Sequence, residues 1–283
     1  MPAALALLAS LLWGTADFLG GSLSRRLPVG SVLGTSQLVA LLGLVPVAVL
    51  TGALDEPRGY LLPGVVAGLT GTVSLAAFYR ALALGTMGVV APVAALGVVV
   101  PVAAGLVGGE SPSVLQLGGI AAAVVGVVLA SGPELRGRAG SRPLLLASVA
   151  AVGFGTVFVL IAEGSASGSF GSVVMTLLTM RLTAVLLLTG LFLARSPRAG
   201  LELGVRRRDL PVLVTVGAFD VGANAAFAVA SQSDLLTVTA VLASLYPVVT
   251  VLLARKLHGE RLVGPQLSGV VLALLGVVLL AGG

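Results

Sequence analysis

The sequence predicts an all-α membrane protein in which ten transmembrane helices form two inverted five-helix repeats. Three observations predict this fold: ten apolar segments long enough to cross a bilayer, basic residues concentrated in alternate loops, and sequence matches between the two halves. Hydrophobic residues make up 57% of the chain and charged residues 10%, whereas a soluble domain usually carries about 25% charged residues. We therefore expect a single integral-membrane domain over residues 1–283.

The helices are predicted from the length of the apolar segments. A helix rises 1.5 Å per residue, so about 20 apolar residues cross the roughly 30 Å hydrocarbon layer of a bilayer. Segments of this length occupy residues 3–23, 31–51, 61–84, 86–108, 113–131, 143–162, 170–194, 211–231, 235–254 and 262–282. No basic residues precede the first segment and no clear cleavage site follows it, so we interpret it as a retained span.

The basic residues predict the orientation of these spans. The loops after the first, third, fifth, seventh and ninth spans, together with Arg80 near the end of the third span, hold 14 of the 16 Lys and Arg residues; the other loops and both termini hold only Arg58. Basic loops stay on the cytoplasmic side, so we expect a multi-pass protein of the inner or plasma membrane with both termini facing outward. The net charge of +5 is spread over short loops rather than a basic face, which argues against nucleic acid as a partner.

The two halves of the chain resemble each other. The matching pairs are Gly109-Glu110 with Gly259-Glu260 at a spacing of 150, Ala76-Ala77-Phe78 with Ala225-Ala226-Phe227 at 149, and Gly14-Thr15 with Gly155-Thr156 at 141. They define repeats of about 1–132 and 143–283. Each repeat holds five spans, an odd number, so the second enters the membrane in the opposite orientation. Many secondary transporters have this architecture, in which two halves rock about a site at mid-depth.

Three charged side chains lie inside predicted spans and away from their cytoplasmic ends: Asp17, Arg181 and Asp220. A charge near the bilayer centre costs roughly 2.5–3.5 kcal/mol on insertion scales and therefore needs a partner or water. Asn224 lies one helical turn after Asp220, on the same face. We expect these four residues to bind a small-molecule substrate or a coupling proton. Two alternatives stay open: Asp220 acts as a clamp between helices, and Arg181 pairs with Asp220 or Asp17 instead of binding a substrate carboxylate or phosphate.

Other polar and aromatic positions are less specific. Trp13 and Tyr79 would either stack on a substrate ring or belong to the aromatic belt at the membrane surface. Glu110 and Glu260 follow the fourth and ninth spans, and we interpret both as turn and cap residues; Asp234 is expected to cap the ninth span. Prolines at positions 46, 92, 101 and 247 are expected to kink their helices.

The residue inventory limits the chemistry. The chain has no cysteine and one histidine, His258, which lies in a predicted loop. Thiol chemistry, a metal site and a catalytic triad are therefore not expected, and no phosphate-binding glycine loop follows a strand. We expect no cofactor and no enzymatic activity, and uphill transport would draw on an ion gradient, for example of protons, or on exchange with a counter-substrate. A channel or lipid scramblase built on the same bundle is the alternative, and a membrane-embedded enzyme is a weaker one.

These features together resemble one known family. The duplicated five-helix plan, the Trp13-Gly14 pair in the first span and the Gly-Glu pair after each fourth helix are similar to the EamA-type branch of the drug/metabolite transporter superfamily. The resemblance covers nearly the whole chain and implies a permease or exporter of small metabolites, often amino acids or drug-like compounds. Arg181 resembles an arginine of the family at the matching point of its repeat, where the first repeat has Gln37. The resemblance also implies cytoplasmic termini; the arginine distribution predicts the reverse, and we retain that prediction.

Overall fold

The structure, a computed structural model, describes residues 2–131, 141–195, 204–232, 235–259 and 264–282. All regular secondary structure in these ranges is helical. The helices are α1 (Pro2–Ser24), α2 (Val29–Leu50), α3 (Leu61–Leu84), α4 (Met87–Ala95), α5 (Val99–Val107), α6 (Val114–Ser131), α7 (Ser141–Gly164), α8 (Phe170–Arg195), α9 (Leu210–Ser231), α10 (Leu236–Ala243), α11 (Tyr246–His258) and α12 (Gly264–Gly282).

Eight helical segments of the described chain are long and apolar enough to cross a membrane. The prediction of an all-helical, multi-pass membrane protein is therefore confirmed. The helices α6 and α12 coincide with the predicted fifth and tenth spans but are not among those eight. The count of ten spans stays a prediction.

The predicted fourth and ninth spans are each divided into two helices. A 3₁₀ turn separates α4 from α5, and two residues separate α10 from α11. Pro101 and Pro247 stand just after these interruptions, where each lacks the N–H that would bond the carbonyl four residues earlier. Pro46 and Pro92 lie inside α2 and α4, which continue through them.

Helix directions follow from contacts at the helix ends. Gly85 lies against Pro143 where α3 ends and α7 begins, and Gly164 lies against Pro63 where α7 ends and α3 begins. The helices α3 and α7 are therefore antiparallel. The last turns of α1 pack on those of α3, so α1 and α3 run in the same direction. Thus α7, the first helix of the second half, runs opposite to α1.

The repeated Gly-Thr pair has a packing reason. A Cβ at Gly14 would collide with the carbonyl oxygen of Tyr246 at the start of α11, and a Cβ at Gly155 would collide with that of Gly97 between α4 and α5. Each glycine thus lets its helix approach the divided span of the other half. Thr250 Oγ1 also donates to the Gly14 carbonyl over 3.0 Å.

Two ends of the bundle can be named by their residues. The terminal end holds Pro2, Glu110 and Ser231, and the arginine-rich end holds Arg26 and Arg255. The larger hydrophobic cluster joins the beginning of α1 to α9 and α10 towards the terminal end. A second cluster joins the last turns of α1 and α3 to α4 and α11 towards the arginine-rich end.

Candidate functional site

A cavity lies in the middle of the bundle and is lined by residues of both hydrophobic clusters. About 610 Å³ of space, including part that is open to the surroundings, is not filled by protein atoms here. Seven helices contribute to its wall: α1, α2, α3, α7, α8, α9 and α11. Six of the seven residues predicted from the sequence line it, namely Trp13, Asp17, Gln37, Arg181, Asp220 and Asn224.

Arg181 is the centre of a polar network in this cavity. Its Nη1 lies 2.9 Å from Oδ2 of Asp220 and donates a hydrogen bond to Oε1 of Gln37 over 2.7 Å. Gln37 Nε2 also donates to Asp220 Oδ2, at 3.5 Å. Of the two ion-pair partners considered for Arg181, the structure shows Asp220. The pair joins α8 to α9, and Gln37 adds α2.

Asn224 fixes the other oxygen of the same carboxylate. Its Nδ2 donates to Asp220 Oδ1 over 3.1 Å and to the Asp220 backbone carbonyl over 2.6 Å. The spacing of one helical turn therefore brings the two side chains together, as the sequence predicts. Both carboxylate oxygens of Asp220 are held, and its rotamer is restricted.

Arg181 keeps two donors that this network does not use. The residue is 2% exposed, and its Nε and Nη2 are buried without a hydrogen-bond partner among the described residues. A buried donor left unpaired is destabilising. These two N–H groups form one edge of the planar guanidinium, which suits an incoming oxyanion.

Asp17 lines the same cavity from α1 and is 6% exposed. Neither ion pair of the described chain includes Asp17, since Arg26 pairs with Asp209 and Arg181 pairs with Asp220. The cavity therefore contains two carboxyl groups and one guanidinium.

Four aromatic side chains line the cavity, Trp13, Phe154, Phe158 and Tyr246, and Phe78 and Phe227 contact them from outside its lining. Trp13 stacks on Phe158 with ring centroids 5.2 Å apart, and Phe227 lies 4.7 Å from Phe158 and 5.9 Å from Trp13. These three side chains form the first aromatic group. The second consists of Phe78, Phe154 and Tyr246, in which Phe78 meets Phe154 edge-on at 5.4 Å and Tyr246 at 6.5 Å.

Tyr79 lies outside the cavity. It is 1% exposed and packs in the second hydrophobic cluster, where its ring and hydroxyl face Gly20. Stacking of Tyr79 on a substrate is therefore not part of the site. Two other predicted positions, Asp234 and Glu260, fall outside the described residues. His258 contacts Ser22 and Arg25 at the arginine-rich end.

Three aromatic residues of the lining, Phe154, Phe158 and Tyr246, are absent from the sequence prediction. An aromatic residue in an apolar helix gives no sign of facing a cavity. The repeat offers one signal: the Gly-Thr match at a spacing of 141 places Phe154 opposite Trp13. The same spacing places Phe158 opposite Asp17, so one half supplies a carboxyl where the other supplies a ring.

No group of three or more metal-ligating His, Asp or Glu side chains occurs in the described part of the chain. The polar side-chain groups of the cavity are one guanidinium, two carboxyls, two amides, hydroxyls and the indole N–H of Trp13. This set can bind a small polar solute and exchange protons.

Comparison with known proteins identifies the class. The sequence profile of the EamA-like transporter family matches residues 1–132 and again residues 141–282. The chain therefore belongs to the EamA-like transporter family, in agreement with the resemblance to drug/metabolite transporters, and it is a multi-pass membrane protein. No curated relative matches the sequence. A protein of known crystal structure is similar in fold, with a TM-score of 0.72, 17% sequence identity, and coverage of 98% of this chain and 95% of the other.

Proposed function

We propose that this protein is a secondary transporter that moves small polar metabolites by alternating access. In this proposal ten spans form two inverted five-helix repeats in the inner or plasma membrane, with the termini outward as the arginines indicate. The substrate binds in the central cavity, between the halves. The observation that carries the proposal is the buried Arg181, which is anchored by Asp220 and Gln37 and keeps one edge unpaired inside that cavity.

The unpaired edge of Arg181 indicates the chemistry of the cargo. Parallel N–H groups of a guanidinium bind the two oxygens of a carboxylate or phosphate in a bidentate manner. Asp220 neutralises the arginine only through Nη1, which leaves the opposite edge for the cargo. The aromatic rings that line the cavity offer apolar surface. We infer a cargo with an oxyanion at one end and an apolar or planar portion beside it.

Asp17 supports coupling to protons. A carboxylate at this depth without a counter-ion is unfavourable, so its charge is more easily accommodated when a proton or a cationic group of the cargo is bound. We infer that Asp17 carries the coupling proton, while Asp220 remains the partner of Arg181. Exchange against a counter-substrate is the alternative source of energy.

Binding and flux test this function. Purified protein is first screened by thermal shift against metabolites that carry a carboxylate or phosphate, because a ligand at 100 times its Kd stabilises a protein by about 2.7 kcal/mol. The best ligand is then followed in proteoliposomes. We expect saturable counterflow, and Asp220→Asn should reduce it at least about tenfold, since loss of 1.4 kcal/mol of binding is tenfold in affinity. Glu163→Gln, which removes an exposed carboxyl at the terminal end, is the control.

The alternatives predict other results. Flux that rises linearly with concentration and shows no counterflow would indicate a channel. Unchanged counterflow in folded Asp220→Asn protein would remove Asp220 from the transport site.

A further inference from the structure

The carboxylate of Glu110 joins the two halves of the protein at the terminal end. The backbone N–H of Leu236 donates to Oε1 over 2.7 Å, and that of Thr237 donates to Oε2 over 2.9 Å. Glu110 follows the divided fourth span of the first repeat, whereas Leu236 and Thr237 begin α10 in the second. The sequence predicts a cap for the local turn; the structure shows Glu110 capping a helix of the other half.

The contact between Glu110 and the start of α10 is fixed by groups of both halves. The N–H groups of a helix's first turn lack partners within the helix and favour a negative charge. The carboxylate of Glu110 supplies hydrogen-bond acceptors for these N–H groups and also the negative charge. Its own backbone N–H bonds the Gly105 carbonyl over 3.0 Å, and a Cβ at Gly105 would collide with both the Glu110 carboxyl and Thr237. The end of α5, Glu110 and the start of α10 are thus in close contact.

The first aromatic group lies between this contact and the cavity. Trp13, Phe158 and Phe227 each lie about one helical turn closer to the terminal end than a cavity residue of the same helix: Asp17, Phe154 and Asn224, respectively. Phe158 stacks on Trp13 and on Phe227, Trp13 and Phe227 meet at a tilt, and the three rings come from both halves. They lie on the terminal-end side of the polar network, where α10 packs on α1 and α9.

The helix held by Glu110 also leads directly to the cavity wall. After α10 the chain is interrupted for two residues and continues as α11, whose first residue, Tyr246, lines the cavity. An interruption of this kind permits α10 to move separately from α11. Movement of α10 away from α5 would remove the support beside the three rings.

We propose that Glu110 is the latch of a gate at the terminal end, which holds α10 against α5 and keeps the Trp13–Phe158–Phe227 barrier closed. This proposal rests on the proposed transport function, because it assigns regulation of access to the same cavity. When the carboxylate releases α10, the cavity opens to the terminal end and the substrate can pass.

Access to the cavity can be measured directly because the chain has no cysteine. A single cysteine is introduced at Ala184, a small residue of the cavity wall, and its rate of reaction with a membrane-impermeant maleimide is followed in proteoliposomes. Single cysteines at Leu54 and Leu257, which are exposed at the terminal and arginine-rich ends respectively, calibrate the orientation of the protein. The reagent is added on the side of the membrane that the terminal end of the protein faces.

Two variants release the latch from opposite sides. Glu110→Gln keeps the size of the side chain and removes its charge. Leu236→Pro removes one N–H donor at the first position of α10, where proline fits a helix, and the preceding residue already has the extended ψ of 131° that proline requires. Each variant should increase the labelling rate from the terminal end about tenfold, the shift expected when a charged hydrogen bond is weakened.

The control is Glu163→Gln, which removes a carboxyl at the same end that is exposed. It should leave the labelling rate unchanged. If both latch variants retain the parent's melting behaviour and the Ala184 cysteine reacts at the parent's rate, Glu110 is not a latch. Because labelling needs no cargo, faster labelling without any transport would retain the gate and refute the proposed function. Transport by the parent protein, combined with unchanged labelling in the latch variants, would retain the proposed function and refute the gate.

Discussion

Arg181 Nη1 donates a hydrogen bond to Gln37 Oε1 over 2.7 Å, and these two residues stand at corresponding points of the two repeats. The pseudo-symmetry therefore brings equivalent positions of α2 and α8 into contact at the cavity. Only one of them carries a charge. The spacing of 149 likewise pairs Asp220 with Gly71, which also lines the cavity. A nearly symmetric scaffold thus holds an asymmetric set of charges, and the cargo proposed above would bind there in one preferred orientation.

The first prediction concerns the planar edge of Arg181. Arg181→Lys keeps a positive charge for Asp220 but has no bidentate edge. We expect the protein to fold and its affinity for an oxyanion cargo to fall about 10- to 100-fold, corresponding to the loss of a charged hydrogen bond. Titration of the ligand found in the thermal-shift screen measures this. Arg142→Lys, at an exposed arginine, should bind like the parent, and equal affinity in the two variants would contradict the role of Arg181.

The polar part of the site follows from the sequence for a physical reason. Charged groups inside apolar helices are unfavourable unless they meet one another or water. Asp17, Arg181 and Asp220 are therefore expected to lie together inside the helix bundle. The one-turn spacing places Asn224 beside Asp220. The family and the duplication follow from the motifs repeated in the two halves, and the family profile matches each half separately.

The remaining features depend on tertiary contacts that the sequence does not encode locally. Tyr79 and Phe154 are both aromatic residues of apolar helices, yet only Phe154 faces the cavity. A glutamate after a helix end ordinarily indicates a local cap. The partners of Glu110 lie 126 and 127 residues away, and only the packing of α5 on α10 brings them within reach.

The second prediction separates the two carboxyls of the cavity. Asp17→Asn removes a proton acceptor but leaves the Arg181–Asp220 pair intact. We expect counterflow of the cargo to persist and accumulation driven by a pH gradient to fall to the equilibrium level. Uptake into proteoliposomes with and without an imposed pH gradient measures both. Asp55→Asn, which alters an exposed carboxyl outside the cavity, should accumulate cargo normally. Gradient-driven accumulation by Asp17→Asn at the parent's level would assign the proton to another group.

The third prediction concerns stability at the arginine-rich end. Asp209, which precedes α9, is 1% exposed and places Oδ1 2.7 Å from Nη1 of Arg26. The Arg206 backbone N–H also donates to its Oδ2 over 3.1 Å. The contact with Arg26, followed by the hydrogen bond from Arg206, lowers the pKa of the Asp209 carboxyl. This connection ties the α1–α2 loop to the start of α9.

The direction of the pH dependence follows from the lowered pKa. A carboxyl that binds its proton less tightly in the folded state stabilises the fold above the pKa of the unfolded chain, about 3.9. The contribution disappears as the pH falls through the lower value of the folded state. Asp209→Asn should therefore melt a few degrees below the parent at pH 7, and the difference should shrink as the pH falls below about 4. Because Arg26 is 49% exposed, salt should reduce the difference as well. Asp55→Asn provides the baseline for loss of an exposed carboxyl, and a difference that stays constant from pH 7 to pH 3 would show that Asp209 acts through packing rather than charge.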